Sequence, residues 1–85
     1  ALPAADLIAV SAHKLHGPKG VGALWMRAGV ALEPLMHGGA QEGGLRSGTL
    51  SPALCAGFGA AVAVAQTRMA ADAAYVKALW ARAQD

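Results

Sequence analysis

The stretch Asp6-Leu7-Ile8-Ala9-Val10-Ser11-Ala12-His13-Lys14-Leu15-His16-Gly17-Pro18-Lys19-Gly20-Val21-Gly22-Ala23-Leu24-Trp25-Met26 holds two apolar runs around a turn. Leu7-Ile8-Ala9-Val10 is short and partly β-branched, which suits a strand buried on both faces between helical layers. Val21-Gly22-Ala23-Leu24-Trp25-Met26 is of the same kind. The glycines and proline of residues 15–20 make a turn. Two strands this close are expected to pair in one sheet. These features predict an α/β fold.

Outward from this pair, nine of the 11 glycines fall between Gly17 and Gly48. That concentration excludes a regular helix or strand over residues 37–49, because ordering glycine is entropically expensive. Long glycine-rich loops in compact proteins are often functional. A helix is expected next. Ser51 is a good N-cap and Pro52 suits the first helical position. Leu54, Phe58, Ala61, Ala65 and Met69 mark one apolar face. A second helical pattern follows, with Val76, Leu79 and Ala83 on one face and Lys77 and Arg82 off it. The pattern allows one bent helix or two with a break over residues 67–71. Gly57 and Gly59 cost about 1 kcal/mol each against alanine and point to close packing. There is no internal repeat.

The 85 residues are 55% hydrophobic and 14% charged, against roughly 25% charged in a typical soluble domain. Such apolarity fits a membrane protein or a slice whose apolar faces other parts cover. The run over residues 50–65 is too short and too rich in glycine and proline for a span of about 20 residues. The opening Ala1-Leu2-Pro3 has no basic start, so no signal peptide is expected. The slice is the better reading. A net charge of +2 with no basic stripe and few aromatics argues against nucleic-acid binding. The single Cys55 closes no internal disulfide and fits a reducing, cytoplasmic setting.

Ser11-Ala12-His13-Lys14 stands where strand gives way to turn, and ligands in α/β sheets gather at strand ends. Only a neutral amine attacks a carbonyl, and a lysine beside an apolar wall and a second potential cation suits that chemistry. If strand alternation continues, Ser11 and His13 face away from Ala12 and together toward a ligand. The plainer alternative is a strand that ends in solvent. Residues 17–22 resemble a phosphate loop only loosely. Lys19 is followed by glycine rather than Ser or Thr, and a strand follows the glycines. His13, His16 and His37 lack a zinc-ligand spacing, so no metal is expected. Arg46-Ser47-Gly48-Thr49 leads into a helix entrance, where either an anion site or ordinary capping is open. Cys55 lies in an apolar helix and reads as a buried core residue.

Residues 11–24 resemble the cofactor-lysine segment of class V aminotransferase-type enzymes that use pyridoxal phosphate (PLP). Among these they are most similar to the cysteine desulfurases. Gly38-Gly39-Ala40-Gln41-Glu42 through Arg46-Ser47-Gly48-Thr49 is similar to that family's glycine-rich loop. The pair of blocks, in order and at the right gap, is specific and covers about residues 6 to 66.

The resemblance implies the large α/β domain of fold type I PLP enzymes. Residues 1–66 are then its C-terminal part, and residues 67–85 a helix leading toward a small domain. It implies that Lys14 joins the cofactor as a Schiff base and moves protons, and that Ser11 and His13 bind its phosphate. Thr49 is implied to reach the phosphate of the partner subunit's cofactor, in a homodimer with shared sites. The implied reaction takes sulfur from L-cysteine, gives L-alanine and leaves a persulfide for an iron–sulfur scaffold protein. Asp6 lies too near Lys14 to be the family's pyridinium partner, and Cys55 does not match the persulfide position. Sibling readings are selenocysteine lyase or a serine or alanine aminotransferase; a rival of another class is a non-catalytic packing fragment.

Overall fold

A computed structural model describes residues 4–85. The Ala1-Leu2-Pro3 opening read against a signal peptide lies outside the described residues. Strand β1 (Leu7–Ser11) pairs antiparallel with β2 (Gly22–Met26), in a register that sets Leu7 opposite Met26 and Ser11 opposite Gly22. Beyond Ser11 the backbone tightens into a single 3₁₀ turn, Ala12–Leu15. The Ala12 N–H still donates to Val21 O at 3.1 Å, and the Gly17 N–H donates to Ala12 O at 3.0 Å. The turn is therefore fastened to both strands. At the opposite end of the pair, the Arg27 N–H donates to Asp6 O, and the Arg27 guanidinium donates to Ala5 O and pairs with the Asp6 carboxylate.

Residues 27–50 are irregular backbone, with one tight turn at Gln41–Gly44 in which Glu42, Gly43 and Gly44 take positive φ. Helix α1 (Pro52–Gln84) then runs unbroken for 33 residues. It starts at the expected cap, where the Ser51 hydroxyl accepts from the Leu54 N–H. Residues 67–71 continue the helix without a break. The Thr67 hydroxyl bonds back to Val64 O, and Arg68 pairs with Asp72 one turn on.

The turn Ala12–Leu15 and the Gly17-Pro18 loop that follows it pack against only the first half of α1. Leu54, Gly57, Phe58, Ala61 and Ala65 are half-buried, at the expected spacing of three or four, whereas every residue from 66 onward is exposed. The tightest contact is local. A Cβ added at Gly57 would stand 3.1 Å from Pro18 Cγ, and one at Gly17 would stand 3.1 Å from Ala61 Cβ. Gly57 thus serves the close packing its sequence position suggested; Gly59 faces open space.

The expected burial of the strands on both faces is not met within this chain. Ile8 and Val10 are half-buried while Leu7, Leu24 and Trp25 are exposed. Ala12 is the buried apolar residue of the described part. The accessible surface is 6887 Å², where a monomer of this mass exposes about 4,700 Å². The radius of gyration is 16.9 Å, against about 12 Å for a compact domain of this length. Helix α1 is also long and apolar enough, by length and composition, to cross a membrane.

Candidate active site

Lys14 sits in the 3₁₀ turn at the head of the strand pair, and the turn is why the site takes its shape. Strand alternation stops at Ser11, so the neighbours are arranged by 3₁₀ geometry instead. Residues three apart then eclipse. Ala12 and Leu15 take the inner face, with Ala12 at 0% exposure. Ser11, His13 and Lys14 are all exposed. The alternation expected to carry through His13 is not met, because the strand ends at Ser11; Ser11 and His13 are both exposed.

His16 closes the turn in the left-handed region, at φ 61. There a non-glycine residue is held only by its surroundings. A Cβ on Gly17 would meet Ala12 O at 2.9 Å, so the chain at Gly17 passes too close to the turn for a side chain. Pro18 on Gly57 then anchors the whole turn to α1.

The Ser11 hydroxyl makes no capping bond to this turn. Among the described residues, Lys14 and His13 take part in neither of the two ion pairs, Arg27–Asp6 and Arg68–Asp72. A hydroxyl, an imidazole and a primary amine are thus exposed within four consecutive residues. That donor set fits a ligand carrying both a phosphate and a carbonyl: hydroxyl and imidazole for the phosphate, amine for the carbonyl. Lys14 also borders a groove along α1 whose far wall includes Arg68, Asp72 and Tyr75, although Ser11 and His13 do not line it.

Thr49 lies elsewhere. It borders a second groove, of about 1290 Å³, between β2, the glycine-rich loop and the start of α1. Lys14 does not line that groove. Within one chain the structure does not bring Thr49 and Lys14 into one site. Cys55 lines the Thr49 groove and is exposed, not the buried core residue its apolar surroundings suggested. Sequence reasoning also passed over Gln41, whose side chain bonds across the glycine-rich loop to Gly48.

The family model for class V aminotransferases matches residues 3–85. The chain belongs to the class V aminotransferase family. Enzymes of this family depend on PLP. The mitochondrial cysteine desulfurase of Saccharomyces cerevisiae is 51% identical over 76 residues, covering 87% of this chain and 15% of that protein. The cysteine desulfurase IscS of Shewanella frigidimarina is 52% identical over 73 residues, 84% of this chain and 18% of that protein. A solved NifS-like protein superposes with a TM-score of 0.87 at 42% identity, over 93% of this chain and 22% of that one. The class V chain thus spans less than a fifth of the length of these curated relatives. Its fold is the corresponding part of the fold type I α/β architecture.

The comparisons overturn the cytoplasmic placement drawn from Cys55. Similar desulfurases from Saccharomyces cerevisiae, Schizosaccharomyces pombe and Dictyostelium discoideum are mitochondrial, and that of Trachipleistophora hominis is mitosomal. A lone cysteine reports only that no disulfide closes within the chain. Any compartment that does not form disulfides permits it equally.

Proposed function

We propose that this chain is the cofactor-lysine portion of a PLP-dependent cysteine desulfurase, with Lys14 as the residue that carries the cofactor. The observation that supports it most is the exposed amine of Lys14 on a turn fastened to two strands and to α1. It occurs in a chain about 50% identical to proteins named cysteine desulfurase. Ser11 and His13 flank the amine and are suited to hold the phosphate. Thr49 is assigned to the phosphate of a partner subunit's cofactor in a homodimer. Its position on a different groove from Lys14 agrees with a site completed by a second copy.

When bound, PLP supplies an electron sink for bond cleavage at the substrate's α-carbon. The chain's residues do the rest of their part by position. Lys14 Nζ would hold the cofactor through its carbonyl carbon, the carbonyl oxygen leaving as water, and would then be placed to carry protons to and from the substrate. Ser11 Oγ and the His13 ring would donate to the phosphate and hold the cofactor against Lys14. The substrate is L-cysteine, the products are L-alanine and a protein-held sulfur, and the acceptor is an iron–sulfur scaffold protein.

Residues 1–66 form the later part of the large domain and residues 67–85 lead toward the small one. The apolar stripe of α1 is read as a face covered by the rest of the enzyme. Arg68 and Asp72 interrupt it, and the family match continues through residue 85.

In the full-length protein, sulfide release from L-cysteine is expected to fall at least a thousandfold in Lys14→Ala, with loss of the bound cofactor's visible absorbance. An active Lys14→Ala enzyme would refute the assignment.

A further inference from the structure

The glycine-rich loop is closed from inside by one side chain. Gln41 Oε1 accepts the Gly48 N–H at 2.9 Å, across seven residues. Its neighbours are arranged around it. A Cβ on Gly39 would stand 2.9 Å from both terminal atoms of the Gln41 side chain, so Gly39 leaves the space that side chain fills. Gly38 similarly leaves space for Ser47, a Cβ there falling 3.3 Å from Ser47 Cβ, and Ser47 is 5% exposed. Ala40 and Glu42, on either side of Gln41, are both held in the left-handed region, at φ 59 and φ 53. Such backbone persists in non-glycine residues only where the surroundings over-determine it. Gly48 has φ 118, which a side chain rarely tolerates, and its carbonyl oxygen accepts from Arg46 Nη1 at 3.2 Å. Gly48 is thus fixed at both its N–H and its C=O, and Thr49 is the next residue.

We propose that Gln41 is a positioning residue for Thr49. Its amide oxygen fixes the Gly48 peptide, and that peptide sets where the Thr49 hydroxyl points. The inference rests on the assignment of Thr49 to a phosphate. Gln41 itself touches no ligand.

A double-mutant cycle on PLP retention by the full-length enzyme tests it. Gln41→Met keeps the side chain's length and removes the acceptor. It is expected to raise the PLP dissociation constant about tenfold, the scale of one lost hydrogen bond to a positioned group. Thr49→Val is expected to do the same. In the double variant the loss stays within about twofold of either single one, because both act through one contact. Gln41→Glu keeps an acceptor oxygen and is expected to hold the cofactor more tightly than Gln41→Met; it also serves should Gln41→Met fail to fold. Losses that multiply to about a hundredfold, or a Gln41→Glu enzyme as weak as Gln41→Met, overturn the positioning role. So does unchanged retention in Gln41→Met while Thr49→Val is impaired. Unchanged retention in Thr49→Val instead overturns the phosphate assignment, and the Gln41 inference with it.

Discussion

Lys14 owes its setting to small neighbours. Ala12 is buried beneath the turn, and Gly17 lets the chain return within hydrogen-bond distance of Ala12 O. Gly17→Ala sets a Cβ 2.9 Å from that backbone oxygen and near Ala61. It is expected to cost the full-length enzyme about 1–3 kcal/mol, the usual scale of overpacking, and to weaken cofactor retention. Thermal melting with and without PLP reads both; unchanged melting contradicts the packing described. The side chains of the proposed site stood out in the sequence because Ser11, His13 and Lys14 are polar residues abruptly ending an apolar run. The 3₁₀ turn was not, since nothing in Ala12-His13-Lys14-Leu15 separates it from a continuing strand. Gln41 was also illegible. Its partner is a backbone N–H seven residues away, a contact that only the folded loop creates.

The strand pair has two ends with different duties. One presents Lys14, and the other is tied by Arg27 and Asp6. β1 has five residues, so the two ends are separated by about 17 Å. Asp6 pairs with Arg27 at 3.2 Å, but the two side chains are 43% and 72% exposed. Such a pair contributes about 1 kcal/mol or less. Asp6→Asn is therefore expected to leave the rate of L-cysteine turnover within about twofold of wild type and stability nearly unchanged. A collapse of activity in this variant contradicts the separation of the two ends. Both strands and the start of α1 were readable from short apolar runs and from Ser51-Pro52. The unity of α1 was not, because Arg68 and Asp72 fall on the face that Leu54, Phe58, Ala61, Ala65 and Met69 share with Val76, Leu79 and Ala83, and so interrupt one apolar stripe. The helix runs through that polar interruption intact, and every residue from 66 on is exposed.

The molecule as a whole exposes what an independent domain hides. Leu35 is 97% exposed, and Tyr75 and Trp80 are each about two-thirds exposed. The surface exceeds that of a compact monomer of equal mass by about 2,200 Å², more than a standard protein–protein interface buries in total. The low charge fraction made this legible in the sequence, whereas which faces lie open needed the structure. Expressed alone, residues 1–85 are expected to show no cooperative thermal transition; a sharp unfolding endotherm contradicts this. The proposed function depends on a covalent bond at one amine, that of Lys14. Borohydride reduction of the PLP-loaded full-length enzyme, followed by peptide mapping, reads that bond directly. The pyridoxyl group is predicted on Lys14; its recovery on another lysine, or on none, contradicts the account.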